Sequence, residues 1–396
     1  MRSPILGRTS PLVAAALVAA APASSGIDQP LSRARAALFL PRTSEGMQAR
    51  YDAGRDLEEA VVGSRVLLRR CVAEAALSFG HGLVRQSEGY DRTRPRLEGA
   101  GQRQAELALR RLRRCPASDD LVRLRLRTRP LPRLPALGRA APERGTDSAR
   151  AARLAALGRA FPGWAAFWVH DLVTGRTAGW NSDAQFPAAS TVKLGVLLAA
   201  LARFAHPERS SLDYELRQMT RWSSNLAANR LFARLGGSAA IEAALRRAGA
   251  RRSTYPQGYR VGTALRLDVQ RQPPFVSGRV TTAHDLGRIL YLLHAGALGN
   301  ERALRIDGLD RARSRYGLGL LAASEMRGNN EGLLRPWLPA GTRIAQKNGW
   351  LHDARHTAAI VYFRGGPKIV VVLTYAPNLQ YAAARDLGRR VLAAVR

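Results

Sequence analysis

Ser190-Thr191-Val192-Lys193 lies at the start of a strongly apolar stretch, residues 190–204, that has the pattern of a helix. Residues three apart share a face of a helix, so Ser190 and Lys193 are expected within hydrogen-bonding reach of each other. A serine hydroxyl is a weak nucleophile until a neighbour accepts its proton. The free backbone N–H groups at a helix N-terminus also favour a developing oxyanion. The stretch therefore predicts a nucleophilic Ser190 with Lys193 as its activating partner.

Lysine is rare in this chain, which gives each lysine more weight. The formal net charge is +32, carried almost wholly by arginine, and the only lysines are Lys193, Lys347 and Lys368. A buried lysine can be shifted toward the neutral amine and act as a base, whereas arginine keeps its proton. Lys193 is therefore interpreted as a residue that takes part in the reaction. Lys368, at the start of a predicted strand, is expected on the surface.

A second motif is Ser223-Ser224-Asn225. Ser223 could relay a proton to a leaving nitrogen, and Asn225 could hydrogen-bond a substrate amide. The same sequence is also a common helix cap, so alone it leaves a purely structural interpretation open.

A third motif is Lys347-Asn348-Gly349-Trp350, predicted at a strand edge. Lys347 would supply positive charge for a substrate carboxylate, with Asn348 beside it. Gly349 would allow close approach of the substrate. The backbone N–H of Trp350 would serve as the second oxyanion donor, beside that of the nucleophile.

The order of predicted elements from residue 146 to 396 indicates the fold class. Predicted strands stand at both ends and helices in the middle. The strands are 164–170, 177–180, 341–346, 357–364 and 368–375, and the helices are 148–160, 190–204, 213–234, 239–248, 282–296 and 379–395. This order predicts an α+β fold whose antiparallel sheet joins the first and last segments.

The three motifs, in this order, resemble those of penicillin-recognising serine enzymes, and neighbouring stretches are similar to the class A β-lactamase branch. These stretches are Asp171-Leu172-Val173-Thr174-Gly175, Phe186-Pro187-Ala188-Ala189-Ser190, Ser224-Asn225-Leu226-Ala227-Ala228-Asn229, Thr281-Thr282-Ala283-His284-Asp285-Leu286 and Leu338-Pro339-Ala340-Gly341-Thr342. The resemblance implies a β-lactamase/transpeptidase-like fold, with an antiparallel sheet flanked by helices and an all-helical lobe. It also implies Ser190 as the acylated residue, Lys193 as activator, Ser223 as proton shuttle and Lys347 as carboxylate anchor.

The chain departs from that family where an acyl-enzyme is hydrolysed. Class A enzymes use a glutamate on an irregular loop to activate the deacylating water, and here the corresponding segment, 251–280, contains no glutamate. Its one carboxylate is Asp268, which is either a weak substitute base or a solvated loop residue. Acylation is thus better supported than release of the acyl group.

Three other departures concern the walls of the site. Asn348 stands where the family usually has a hydroxyl residue, and Ser224 replaces the usual aspartate of the second motif. The stretch from Lys193 to Ser223 also looks shorter than usual, which would remove a helical wall and widen the cleft.

These features favour a serine hydrolase that opens β-lactam amides through an acyl-Ser190 intermediate. One alternative is a peptidoglycan D,D-peptidase or esterase with the same acylation machinery, and another is a slow-turnover penicillin-binding sensor or scaffold. The expected partner is a β-lactam or peptidoglycan-like small substrate. No cofactor or metal is expected, because His352 and His356, although spaced i, i+4, lie between predicted strands.

The first residues predict export. Arg2 and Arg8 precede a short apolar run, Leu12 to Ala20, and a small-residue cleavage site at 21–23. Residues 1–23 are therefore interpreted as a signal peptide of a periplasmic or extracellular protein, with no transmembrane anchor after cleavage. The high positive charge is compatible with an anionic cell envelope. Because no basic tract is interleaved with aromatics, nucleic acid is not an expected partner.

Between the signal and the catalytic region, residues 30–115 predict a separate helical hairpin region. Its helices are expected at 46–86 and 97–114, with a turn at 90–96. An antiparallel hairpin brings Cys71 and Cys115 side by side, which favours a disulfide over two buried thiols. Residues 116–145 are interrupted by prolines and predict a linker with room for one short strand.

Overall fold

The computed structural model describes residues 26–125, 130–258, 278–325 and 328–396. The predicted signal peptide, residues 1–23, and Asp268 lie outside the described residues. Within those ranges, every helix is too short or too polar to cross a membrane.

The N-terminal part is helical. It contains α1 (Asp28–Leu38), α2 (Ser44–Val62), α3 (Arg70–Asp91) and α4 (Pro95–Leu112). The helices α3 and α4 form the expected hairpin, and the Cys71–Cys115 disulfide is present, with 5.6 Å between the two Cα atoms. The prediction of one helix over 46–86 is wrong. The chain leaves α2 at Gly63, and β1 (Leu68–Arg69) then pairs with β2 (Leu121–Val122) of the predicted linker, which satisfies backbone groups that a helix would have used.

One five-stranded sheet forms the centre of the catalytic region. Its strands are β3 (Trp164–Asp171), β4 (Thr177–Trp180), β7 (Arg343–Trp350), β8 (Ala354–Phe363) and β9 (Gly366–Tyr375), in the order β4-β3-β9-β8-β7 and antiparallel throughout. A second pairing joins β5 (Phe186–Pro187) to β6 (Val280–Thr281). Because β3 pairs with β9, the first and last strands meet in one sheet, as predicted.

Both faces of the sheet are covered, which explains why β9 is an almost continuous apolar run. On one face, Val370 and Val372 pack with α5 (Ser148–Ala160) and α13 (Tyr381–Val395). On the other, Ile369 and Val371 belong to the same buried cluster as Leu290 of α10 (Ala283–Ala297). The alternation follows from the two-residue period of a strand.

The helical lobe occupies the middle of the catalytic region. It contains α6 (Lys193–Arg203), α7 (Leu212–Arg221), α8 (Asn225–Leu235), α9 (Ser238–Arg247), α11 (Glu301–Asp307) and α12 (Arg311–Ala322). Short 3-10 turns lie at Pro207–Arg209, Gly328–Glu331 and Arg335–Trp337, the last of them against α13. Every residue of α6 from Lys193 to Leu201 is buried, as expected for a helix that is apolar on all sides. The fold is therefore the predicted β-lactamase/transpeptidase-like one, an antiparallel sheet with flanking helices and an all-helical lobe.

The prediction of one helix over 213–234 is wrong, and the break falls at the second motif. The helix α7 ends at Arg221, and α8 starts at Asn225. Ser223 has a φ of 70°, which a regular helix cannot contain, and the Ser224 hydroxyl accepts the N–H of Ala227 as the cap of α8. This capping motif thus places Ser223 in the gap between two helices.

Candidate active site

Ser190 lies in the turn that enters α6, three residues before the helix begins at Lys193. The turn is held by backbone bonds from Thr191 N–H to Ala188 O, at 3.1 Å, and from Lys193 N–H to Ser190 O, at 3.3 Å. Ser190 is partly exposed, while the residues that follow it are buried. The nucleophile predicted from the sequence is therefore at the surface of a rigid, buried helix start rather than within the helix.

A buried histidine fixes the segment before this turn. His356 of β8 donates through Nε2 to the carbonyl of Pro187 at 2.8 Å, and its Nδ1 accepts the N–H of Thr374 at 3.2 Å. Burial lowers the pKa of His356 to about 4, so the ring is neutral and this assignment of donor and acceptor holds at neutral pH. The central sheet thereby positions β5 and the residues that lead to Ser190.

Lys193 is buried beside the second motif. Its Nζ donates to the backbone carbonyl of Ser223 at 2.7 Å and to Oδ1 of Asn225 at 2.8 Å, and lies 3.5 Å from the Ser223 hydroxyl. Burial, followed by the charges of Lys347 and Arg279, holds the pKa of Lys193 well below the ordinary value of lysine. The environment thus favours the neutral amine of Lys193 more than water would.

Lys347 of β7 reaches the same serine from the sheet. Its Nζ donates to the Ser223 hydroxyl at 2.9 Å and to the carbonyl of Asn348 at 2.7 Å. Burial lowers its pKa to about 7. The Ser223 hydroxyl therefore lies between two buried lysine amines, each of which disfavours the other's charge.

The third motif brings β7 against the nucleophile. A side-chain carbon at Gly349 would lie 2.9 Å from the backbone nitrogen of Ser190 and 3.0 Å from that of Thr191, so only glycine allows this approach. Trp350, the next residue, ends the strand and is half-buried. The two backbone N–H groups predicted as oxyanion donors, those of Ser190 and Trp350, thus belong to segments in direct contact.

The Asn348 amide is occupied within the protein. Its Nδ2 donates to the carbonyl of Asn330 at 2.7 Å, and its Oδ1 accepts the hydroxyl of Thr357 at 2.7 Å. Asn330 and Thr357 carry no motif that would have marked them in the sequence. The substrate contact expected of Asn348 stays a prediction.

Two contacts made by aspartate side chains were not predicted from the sequence. Asp91, the last residue of α3, accepts the backbone N–H of Asn225 through Oδ2 at 3.0 Å. Lys368 is buried and paired with Asp171, so the prediction of a surface lysine is wrong. The register of β3 and β9 places Lys368 directly opposite Asp171, and that register is a tertiary feature.

No group of histidine, cysteine, aspartate or glutamate side chains in the described ranges is arranged to hold a metal ion. His352 lies on an exposed turn beside Asp353, and His356 lies in the sheet. The described site is accordingly one of hydroxyl, amine and amide groups.

Comparisons with known proteins agree with this fold. A family model described as "Beta-lactamase enzyme family" matches residues 149–216 and 204–395. The solved beta-lactamase from Sphaerobacter thermophilus is 19% identical, with a TM-score of 0.50 over 63% of this chain and 95% of its own. PBP-A is 20% identical, with a TM-score of 0.51 over 65% of this chain and 98% of its own. A beta lactamase from Xanthomonas campestris is 22% identical, with a TM-score of 0.50 over 62% of this chain and 96% of its own. No curated protein matches the sequence.

Proposed function

Because the chain belongs to the beta-lactamase enzyme family, we propose that it opens β-lactam amides through an acyl-Ser190 intermediate. One observation carries the proposal. The Ser223 hydroxyl lies 2.9 Å from Nζ of Lys347 and 3.5 Å from Nζ of Lys193, and Lys193 follows Ser190 by one turn. This arrangement supplies a base, a proton relay and a cation within one buried cluster.

Acylation would begin with the neutral amine of Lys193 accepting the proton of Ser190. The Ser190 Oγ then forms a bond to the carbonyl carbon of the β-lactam, and the negative charge collects on the carbonyl oxygen. The N–H groups of Ser190 and Trp350 would stabilise that oxyanion. Gly349 supports this assignment because it lets β7 approach the nitrogen of Ser190.

Collapse of this intermediate breaks the ring C–N bond, and the leaving nitrogen needs a proton. Lys193 carries the proton taken from Ser190, and the Ser223 hydroxyl can pass it on while accepting a replacement from Lys193. No proton is gained or lost overall, and the product is an ester on Ser190. Lys347 would bind the substrate carboxylate as its counter-charge.

A solved relative supports the acylation step as chemistry for this fold. A mutant of PBP-A, 19% identical to this chain and with a TM-score of 0.52 over 64% of it, was determined as an acyl-enzyme complex with penicillin G. That complex belongs to PBP-A, and its transfer to Ser190 is part of the proposal.

The absence of a glutamate in 251–280 favours a second candidate, in which the acyl-enzyme persists. In that case the protein would be a slow-turnover penicillin-binding sensor or scaffold, or a peptidoglycan D,D-peptidase or esterase. We keep Asp268 as the weak candidate for a deacylation base. We also propose that the protein is exported and that it contacts an anionic cell envelope. In this proposal the catalytic domain begins at residue 146.

The test uses a fluorescent penicillin, with label and hydrolysis followed together. We expect stoichiometric labelling of the native protein and none of Ser190→Ala, whereas Ser118→Ala, at an exposed serine outside the catalytic region, labels normally. Hydrolysis of more than one equivalent of penicillin per protein would establish turnover, and stable label without hydrolysis would favour the second candidate. A native protein that neither takes up label nor hydrolyses penicillin, or a labelled Ser190→Ala, contradicts acylation at Ser190.

A further inference from the structure

The end of α3 connects the N-terminal hairpin to the active site. The carboxylate of Asp91 accepts the N–H of Asn225 at 3.0 Å and faces the Ser224 hydroxyl at 3.5 Å. Asn225 in turn holds Nζ of Lys193 through its side-chain oxygen at 2.8 Å. Two hydrogen bonds thus link a carboxylate of the hairpin to the amine beside the nucleophile.

Polar contacts on either side hold the hairpin in place. Arg55 of α2 donates to the fully buried carboxylate of Glu215 in α7 at 2.7 Å, and the Tyr214 hydroxyl donates to Glu88 of α3 at 2.7 Å. Arg230 of α8 is likewise paired with Asp56 of α2 at 2.7 Å. Removing one partner of a buried ion pair is costly, so these contacts resist separation of the hairpin from the lobe.

The tip of the hairpin is tied to the edge of the site. The guanidinium of Arg92 lies 4.7 Å from the ring centre of Trp222, the residue before Ser223, and pairs with Glu325 at 3.1 Å. Asp91 therefore sits between two anchored neighbours, Glu88 and Arg92. Its carboxylate is placed by a rigid element rather than by a free loop.

We propose that Asp91 is a positioning residue of the active site, through which the N-terminal hairpin supplies the carboxylate that Ser223-Ser224-Asn225 lacks. The proposal rests on the acylation chemistry proposed above. Ser224 occupies the place where the resemblance led us to expect an aspartate, and the Asp91 carboxylate lies against that serine. A negative charge at the start of α8 also suits the helix dipole.

The electrostatics of Lys193 agree with this role. Lys347 of β7 and Arg279, which precedes β6, disfavour the ammonium form, whereas the charge of Asp91 favours it. On α3 itself, Asp91 is flanked by the carboxylate of Glu88 and the guanidinium of Arg92. Asp91 thus moderates the loss of basicity that burial and the two cations impose on Lys193.

The scarcity of lysine makes this measurable in the full-length protein. With only Lys193, Lys347 and Lys368, NMR of 13C-lysine-labelled protein gives one side-chain titration per lysine, assigned by single Lys→Arg variants. Asp91→Asn keeps an oxygen for the Asn225 N–H and removes the charge. We expect it to lower the titration midpoint of Lys193 by roughly half to one pH unit, and the acid limb of the acylation rate to move with it.

Two further variants sharpen the test. Glu74→Gln removes a carboxylate from the same helix, where Glu74 forms an exposed pair with Arg111 at 2.7 Å, and should leave the Lys193 midpoint unchanged. Asp91→Ala also removes the acceptor, and we expect acylation to fall by up to about tenfold beyond Asp91→Asn, the effect of losing one hydrogen bond between neutral groups. If Asp91→Ala does not fold, the Lys193 titration midpoint of Asp91→Asn alone tests the proposal.

A Lys193 midpoint that is equal in the native protein and Asp91→Asn overturns the proposal. An Asp91→Ala protein that is acylated at the native rate also overturns it. If the native protein neither takes up label nor hydrolyses penicillin, the proposed function fails, while the lysine titration still shows whether Asp91 controls Lys193.

Discussion

The Nζ of Lys347 donates a hydrogen bond of 2.9 Å to the hydroxyl of Ser223, which lies 124 residues earlier in the chain. The same hydroxyl is 3.5 Å from Nζ of Lys193, and both lysines are buried. Burial penalises each ammonium, and each charge penalises the other. The pKa of Lys193 is well below its ordinary value and that of Lys347 is about 7, so both buried amines give up their protons more readily than a lysine in water does.

Replacing Lys193 by arginine should abolish base catalysis while keeping a long side chain that can donate hydrogen bonds. Arginine keeps its proton, so it cannot accept the proton of Ser190. We expect the acylation rate to fall about 100-fold to 10,000-fold, measured as the rate of labelling by fluorescent penicillin. Lys368→Arg is the matched control, since it keeps the pairing with Asp171 outside the site and should acylate normally. Native-like acylation of Lys193→Arg, with a native circular dichroism spectrum, would exclude Lys193 as the base.

The acylation rate should depend on pH through both lysines. The rate should rise with pH as Lys193 loses its proton. For a substrate that bears a carboxylate, the rate should decline above about pH 7 as Lys347 loses its charge. Lys347→Arg should remove the alkaline decline, because arginine remains charged throughout. Single-turnover labelling from pH 5 to 10 measures both limbs. An unchanged alkaline limb in Lys347→Arg would assign that limb to another group.

The left-handed backbone of Ser223 predicts that two substitutions there slow acylation alike but differ in their effect on stability. Its φ of 70° is unfavourable for a residue with a side chain and free of cost for glycine. Ser223→Ala and Ser223→Gly should both slow acylation, because each removes the relay hydroxyl. Ser223→Gly should nevertheless be more stable than Ser223→Ala by about 1 kcal/mol in urea unfolding. Equal stabilities would mean that the strain is relieved elsewhere.

The buried Lys368–Asp171 pair should contribute to stability and not to catalysis. Partial burial acts to raise the pKa of Asp171, but the hydrogen bond from Lys368 and the N–H of Thr174 hold it below its ordinary value. Lys368→Met leaves that carboxylate without its cation and should cost roughly 3 kcal/mol in the free energy of unfolding.

Asp171→Asn is the control for that prediction. In the double variant Asp171→Asn, Lys368→Met, much of the loss should be recovered, because no unpaired charge remains. The acylation rates of all three variants should match that of the native protein. Additive destabilisation by the two substitutions would contradict a coupled pair.

Local sequence was sufficient for the fold class and for the order of the site residues. Short β-rich runs predicted the strands that became β3, β8 and β9, and an amphipathic pattern predicted the helix α13. Helical composition on both sides of one turn predicted the hairpin, and the nearly equal distance of Cys71 and Cys115 from that turn favoured the disulfide that the structure contains. The rarity of lysine, together with the two motifs that contain them, singled out positions 193 and 347 as candidates for chemistry.

Only the tertiary structure determined which contacts the site residues make. The break between α7 and α8, which puts Ser223 between two lysines, depends on a capping serine and a left-handed residue that helical periodicity does not register. The burial of Lys368 depends on the register of two strands far apart in the chain, since Asp171 and Lys368 are 197 positions apart. The contact of Asp91 with Asn225 joins residues 134 positions apart. Periodicity reports which face of an element is buried, whereas pKa values and hydrogen bonds depend on which distant element covers that face.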